Sequence, residues 1–172
     1  MKRIGLLSDT HGEIPDSVFS FFENCHEIWH AGDIGDADTA GRLAAFRPLR
    51  AVYGNIDGQE VRMQYPQNQR FLCEEVDVWI THIGGYPGHY DPSVRDRLRS
   101  NPPKLFVCGH SHILKIIYDR KLDLLHLNPG AAGRYGFHKM QTALRFLIDG
   151  TSIAEMEIWQ MGKEVKTGYE GI

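Results

Sequence analysis

Lys2-Arg3-Ile4-Gly5-Leu6-Leu7-Ser8-Asp9-Thr10-His11 is the stretch on which the fold turns. Its apolar run has no polar alternation, so residues 3–8 read as a strand buried on both faces, as in a parallel sheet. The run stops at a carboxylate and an imidazole. The same sequel recurs along the chain. Gly32-Asp33, Gly54-Asn55, Thr81-His82 and Gly109-His110-Ser111-His112 each follow another apolar, strand-like run. From His11 through Asp33, Asn55 and His82 to His110 the steps are 22, 22, 27 and 28 residues. That is close to the roughly 30 residues of one strand–connection–strand unit. In an open parallel sheet the carboxyl ends of successive strands share one edge, where ligands bind. The pattern predicts that seven metal-binding side chains meet there.

The segments between these points fit the scheme. Pro15 to Cys25 reads as a helix, with proline in its first turn and Val18, Phe21, Phe22 and Cys25 on one face. Glu27 to His30 and Leu49 to Tyr53 read as strands, and Asp38 to Phe46 as a helix between them. Arg70 to Glu75 and Val78 to Thr81 read as strands joined by a turn at Val76-Asp77. Asp91-Pro92 starts a helix that Asn101-Pro102-Pro103 ends, and Lys104 to Cys108 is again a buried strand. The last third reads as antiparallel: Ile113 to Tyr118 with Leu122 to Leu127, then Gln141 to Ile148 with Thr151 to Trp159 around Asp149-Gly150. In the last strand Ala154, Met156 and Ile158 are expected on one face and Glu155 and Glu157 on the other. The polar tail after Met161 carries no assignment. The expectation is one α/β domain over residues 1–172.

Composition narrows the function classes. A formal charge of −3 speaks against a broad nucleic-acid footprint, which needs clustered Lys and Arg. A phosphorylated small molecule stays open, because bound cations would dominate the local charge. Cys25, Cys73 and Cys108 form no Cys-x-x-Cys pair and read as buried, reduced thiols. Cys108 adjoins Gly109-His110 but ends an apolar run, so it reads as core. With no signal-peptide pattern and no apolar run near the roughly 20 residues of a membrane span, the expectation is a soluble, cytoplasmic protein.

Asp9 and His11 are two apart and, in an extended strand end, point to one side. Asp33 has two oxygens and can bridge two cations, and Asn55 offers an amide oxygen. His110 and His112 can face one cation or divide between two. An oxygen and imidazole set without thiolate suits Mn, Fe, Ni or Zn. Two such cations roughly 3.5–4 Å apart are a known device for phosphoester hydrolysis, clamping the phosphoryl oxygens and lowering the pKa of a water from about 15.7 towards about 7. Singly, each motif is weak: Gly-Asp and Gly-Asn are most often turns, and Gly-His-x-His also occurs in structural zinc sites. The specificity lies in their order and strand-end placement.

In that order, Asp-x-His, Gly-Asp, Gly-Asn, His and Gly-His-x-His resemble the calcineurin-like metallophosphoesterases. Within them the sequence is most similar to the small bacterial and archaeal phosphodiesterases related to the metallophosphoesterase-fold subunit of retromer. The resemblance runs from Lys2 to about Ile158. It implies a four-layer α/β/β/α sandwich with two mixed sheets and a dinuclear site at its edge. It implies that Asp9, His11 and His112 bind one cation, that Asn55, His82 and His110 bind the other, and that Asp33 bridges. It also implies manganese as the first candidate, with zinc, iron and nickel as rivals, and phosphodiester hydrolysis by attack of a metal-bound hydroxide. Asp33, Asn55, Asp57 and His110 form the candidate catalytic set. Asp57 is there as a residue that could orient a histidine ligand, or else cap the turn. The alternative is a retromer-subunit-like scaffold with vestigial or no catalysis. The partner expected is a small-molecule phosphoester, with nucleic acid disfavoured, no membrane, and room for a homo-oligomer.

Three departures from the family pattern shape the expectation. Many relatives carry Gly-Asn-His, where the histidine can protonate the leaving group or hold phosphate; here Ile56 follows Asn55. Protein Ser/Thr phosphatases and dinucleoside polyphosphate hydrolases carry an arginine where Ala37 stands, so those activities are disfavoured. His82 is followed by Ile83 rather than glycine, and Tyr86, His89 and Tyr90 either line a pocket beside the cations or form a plain exposed loop. Asn128-Pro129-Gly130 reads as a turn or a wall of the site. His26, His30, His126 and His138 lie outside the motifs, and Arg134 is a weak candidate for reaching phosphate.

Overall fold

The computed structural model describes residues 1–163; of the polar tail, residues 164–172 lie outside it. Lys2–Leu7 (β1), Glu27–His30 (β2) and Leu49–Ala51 (β3) run parallel, and Met140–Asp149 (β11) and Ser152–Gly162 (β12) extend that sheet antiparallel in the order β12-β11-β1-β2-β3. Asn68–Cys73 (β4), Val76–Thr81 (β5), Leu105–Val107 (β8), Leu114–Asp119 (β9) and Leu124–Pro129 (β10) form a second mixed sheet, ordered β4-β5-β8-β10-β9. Gly85–Tyr86 (β6) and His89–Tyr90 (β7) make a small separate hairpin.

Strand parity builds the layers. Ile4, Leu6 and Trp29 of the first sheet meet Val78, Ile80, Leu105 and Val107 of the second in one buried core. The alternate residues face outward. Leu7 and Ile28 pack with Val18 and Phe22, on and just after Asp16–Phe21 (α1), and with Leu43 of Ala37–Phe46 (α2). Trp79 and Phe106 pack against Val94 and Leu98 of Pro92–Ser100 (α4). Each central strand is thus apolar on both faces, and the architecture is the expected α/β/β/α sandwich with two mixed sheets. Among the described residues no helix is long and apolar enough to cross a membrane.

Four local expectations are corrected. The first helix stops at Phe21, and a turn carries Phe22, still fully buried, to Cys25. Gln59–Gln64 (α3) was not legible, because Val61 is its one buried residue. The β4–β5 turn sits at Glu74-Glu75, with Glu74 at φ 52°, not at Val76-Asp77. The period of two puts Val76 on the core face with Val78 and Ile80, and that burial fixes the register. In β12 the expected alternation breaks: Arg145 pairs with Glu157 but Leu147 with Ala154, so β12 carries one extra residue, and Glu155 sits at φ 50°. This bulge flips the parity. Ile153 and Met156 turn to the core and Ala154 is left exposed.

His126 is a buried misfit. Neither ring nitrogen finds a partner among the described residues, and the ring lies between Tyr90 and Phe106. Burial, helped by Lys115 and opposed by Asp119, pushes its pKa from the ordinary 6.5 down to about 4. The unfolded chain takes up this proton as pH falls through 6.5, while the folded chain refuses it until about 4. The metal-free protein therefore loses stability on acidification in that window. At about 1.4 kcal/mol per pH unit the loss from this group is about 3 kcal/mol. His126→Phe is expected to remove that share, of which about 2 kcal/mol falls between pH 7.5 and 5, measured as the difference in urea unfolding free energy between those two pH values. An unchanged pH dependence in the variant would refute the assignment.

Candidate metal centre

The parallel strands β1, β2 and β3 of one sheet and β5 and β8 of the other end on the same edge of the sandwich. The convergence is thus made by two sheets, as the sandwich implies. Hydrogen bonds cross between them at that edge. His82 Nδ1 lies 2.7 Å from the Ala31 carbonyl, and the His110 N–H donates to Asp9 Oδ2 at 3.1 Å.

Six of the expected ligands fall into two adjoining clusters, Asp9 with His11 and His112, and Asp33 with His82 and His110; within each, the ligand atoms lie within 4.8 Å of one another. His110 and His112 thus divide between the two clusters. Asp33 Oδ2 lies 3.2 Å from His82 Nε2 and 3.8 Å from His11 Nε2, so it faces both clusters. Asp9 Oδ1 lies 3.2 Å from His112 Nε2. Asn55 stands beside His82 on a cleft of about 570 Å³ that Tyr53, Arg62, Asn68 and Ser93 also line.

The reason Asp9 and His11 converge differs from the expectation. They are not extended: Asp9 (φ 53°), His11 (φ 49°), Asp33 (φ 54°), His110 (φ 71°) and His112 (φ 58°) all occupy the left-handed region. That region costs a side-chain-bearing residue roughly 1–2 kcal/mol, though Asp, Asn and His tolerate it best. Such strain persists where surrounding contacts over-determine it and concentrates at functional sites. Here backbone bonds hold it, from Asp9 N–H to Gly32 O, His11 N–H to Asp33 O and Gly133 N–H to Asp9 O. Gly32, at φ 95°, leaves no room for a Cβ, which would lie 2.6 Å from His82 Nδ1.

Each carboxylate commits one oxygen to the protein and leaves the other for the cluster. Asp9 Oδ2 accepts from Ser8 Oγ at 2.6 Å as well as from His110, and Asp33 Oδ1 accepts from the Ile56 N–H at 3.1 Å. Asp9 Oδ1, His11 Nε2 and His82 Nε2 are buried and make no hydrogen bond among the described residues. Buried polar atoms are almost always satisfied, so these three orphaned atoms fit a cation ligated by oxygen and imidazole. Burial raises the Asp9 carboxyl, but His112, His82 and Ser8 outweigh it and hold it below its ordinary value. Asp33 is likewise lowered: His82 and the Ile56 N–H overcome its burial. Burial lowers His11 against the pull of Asp33 and Asp9. His82 is raised, its burial being outweighed by the same two carboxylates.

Among the described residues Asp57 makes no hydrogen bond to a histidine. Its buried carboxylate accepts from the N–H groups of Ile34 (3.1 Å), Gly35 (2.8 Å) and Gly54 (2.8 Å). It ties the turn carrying Asn55 to the loop carrying Asp33, so of its two expected roles the geometry favours the turn. Asp57→Ala would strand these donors at about 1–3 kcal/mol each. Urea unfolding of the metal-free variant is expected to show a loss of about 3 kcal/mol or more; a loss under about 1 kcal/mol would show that the two loops hold their positions without it.

Residues outside the motifs support the site. His30 accepts from the Gly32 N–H at 3.1 Å and meets Thr10 Oγ1 at 2.9 Å, linking the loop of Asp9 and His11 to the loop of Asp33. Asn128 donates to the Gly109 carbonyl at 2.9 Å and accepts from the Gly130 N–H, making its loop a structural turn. His138 contacts His112. No sequence spacing marks these partners. Tyr86, His89 and Tyr90 do not line the cleft. Tyr90 donates to Asp119, and Lys115 covers the Tyr86 ring. Arg134 is exposed and lies 3.9 Å from Glu13. Cys108 is fully buried, and burial pushes its thiol up to about 12.

A probable metallophosphoesterase of Methanothermobacter thermautotrophicus is 32% identical over 134 residues, covering 74% of this chain and 76% of that protein. A phosphodiesterase of Methanocaldococcus jannaschii is 26% identical over 149 residues, covering 77% and 86%. The crystal structure of Vps29 from Chaetomium thermophilum shares the fold, with a TM-score of 0.74 at 14% identity over 94% of this chain and 97% of that one. Residues 1–151 match the calcineurin-like phosphoesterase superfamily domain, and with the strand-end geometry above this places the chain in the calcineurin-like metallophosphoesterase family.

Proposed function

We propose that this protein is a dinuclear metal-dependent phosphodiesterase acting on small molecules. The observation that carries the reading is the pair of adjoining clusters, with Asp33 Oδ2 between them and buried ligand atoms left without partners. Asp9, His11 and His112 would hold one cation, Asn55, His82 and His110 the other, and Asp33 both. When bound, such a pair stabilises charge on the phosphoryl oxygens and makes a water acidic enough to attack near neutral pH. The chain's own part is to fix that geometry before substrate arrives, through the strained loops and their buried anchors.

Position 56 supplies no proton. Ile56 is exposed beside Asn55, and general-acid help of that kind is typically worth about 10²–10⁴-fold. The leaving alcohol would take its proton from solvent, so esters with good leaving groups should react fastest. The neighbouring cleft presents Asn55, Asn68 and Ser93 to one arm of the substrate. The buried, unpaired cysteines fit a reducing cytoplasm.

Hydrolysis of bis-p-nitrophenyl phosphate by metal-free protein reloaded with Mn²⁺, Zn²⁺, Fe²⁺ or Ni²⁺ tests the reading. Turnover is expected with at least one, Mn²⁺ first. Folded, metal-loaded protein inactive with all four would favour the scaffold alternative. Faster cleavage of single-stranded DNA than of the small diester would point to a nuclease.

A further inference from the structure

His112 Nδ1 lies 3.1 Å from His138 Nδ1, and His138 Nε2 lies 2.8 Å from the Gly133 carbonyl. The two rings meet edge to face at 4.9 Å. A carbonyl oxygen can only accept, so His138 Nε2 must carry a hydrogen. Neutral His138 then offers a lone pair at Nδ1. The only partner that satisfies it is a hydrogen on His112 Nδ1. That leaves the lone pair of His112 on Nε2, the atom 3.2 Å from Asp9 Oδ1. A ligating histidine is usually fixed in this way by a carboxylate, a carbonyl or water on its far nitrogen. Here a second histidine stands between the ligand and the carbonyl.

We infer that His138 is a positioning residue for the cation held by Asp9, His11 and His112: it selects the His112 tautomer and locks that ring's orientation. The inference rests on the cation reading of the Asp9 cluster. The relay closes on itself, because Gly133 also donates its N–H to the Asp9 carbonyl at 3.1 Å. The loop from Gly133 to His138 is therefore fastened at one end to a carboxylate ligand and at the other to an imidazole ligand. Around position 138 the chain is otherwise exposed, so the ring can be replaced without opening the core.

The test is calorimetric titration of Mn²⁺ into metal-free wild type, His138→Phe, His138→Leu and His138→Asn. Phe keeps a flat ring and Leu keeps apolar bulk, but neither can accept a hydrogen bond. Asn places its Oδ1 about where the His138 Nδ1 stands and can accept from His112. Loss of a partner of this kind typically weakens metal binding about 10–100-fold. One of the two Mn²⁺ sites is expected to weaken by that factor in the Phe and Leu variants, with the other unchanged. The Asn variant should stay within about threefold of wild type at both sites. Metal-free melting temperatures should match throughout, and should either apolar variant not fold, the other serves. Two unchanged sites in Phe or Leu, or an Asn variant as weak as they are, would overturn the inference while leaving the dinuclear reading intact. Wild type that binds no Mn²⁺ at all would overturn both.

Discussion

Asp33→Ala is expected to bind at most one Mn²⁺ per chain and to lose diesterase turnover by at least about 10³-fold. The carboxylate lies within 4 Å of a histidine from each cluster, 3.8 Å from His11 Nε2 and 3.2 Å from His82 Nε2. On the proposed reading its removal would take a ligand from both cations at once. Metal stabilisation of a phosphoryl transition state is worth several kcal/mol, and each decade of rate is about 1.4 kcal/mol. The fold should survive, because the Ile56 N–H bonded to Asp33 Oδ1 belongs to a half-exposed turn that solvent can reach. Asp33→Asn keeps an acceptor for that N–H and should melt like wild type, which separates the chemical loss from a structural one. Two Mn²⁺ per chain and turnover within about tenfold of wild type in Asp33→Ala would show the bridging assignment to be wrong.

Gly54→Ala should be nearly as damaging, although position 54 carries no chemistry. A Cβ there would lie 2.0 Å from Asp33 Oδ1 and 2.4 Å from the Asp33 backbone nitrogen. The side chain cannot yield alone, because the backbone behind it is equally close. The Gly54 N–H is also held by Asp57. Overpacking of this kind typically costs about 1–3 kcal/mol and sometimes more. The displaced Asp33 should lower Mn²⁺ affinity at both sites. Gly41→Ala is the contrast. Gly41 lies inside α2 with nothing within 4 Å of an added Cβ, so alanine should stabilise the protein by about 0.5–1 kcal/mol and leave metal binding alone. Thermal and urea unfolding with calorimetric Mn²⁺ titration would check both. A Gly54→Ala protein as stable and as well loaded as wild type would mean that the loops are far more compliant than their contacts indicate.

The contrast between Asp57 and Asp33 shows how much of the site was legible. Both are acidic residues in turns after strands. Asp33 is separable because it belongs to a series of motifs that recur at about the length of one strand–connection–strand unit. Asp57 binds backbone N–H groups at positions 34, 35 and 54, and no spacing rule marks a backbone donor. His138 was passed over for a related reason. It stands 26 residues beyond His112, in a glycine-rich loop with no periodic pattern, and only tertiary packing brings the rings together. In the fold, strands with two buried faces were readable as continuous apolar runs, while α3 and the β12 bulge were not. A single inward residue leaves no helical period, and a bulge shifts parity without changing composition.

Sequence by itself determined the chemistry of the ligands, their order and their placement after apolar strands, because these follow from residue type and local periodicity. The tertiary structure decided which strands of the two sheets bring their ends to the common edge. It also decided how the histidines divide between the clusters and which polar atoms stay unsatisfied. Those outcomes depend on left-handed turns and on hydrogen bonds between segments far apart in sequence, as from His110 to Asp9, 101 residues away. Such contacts are selected by the packing of the whole sandwich, and no local preference of the chain encodes them.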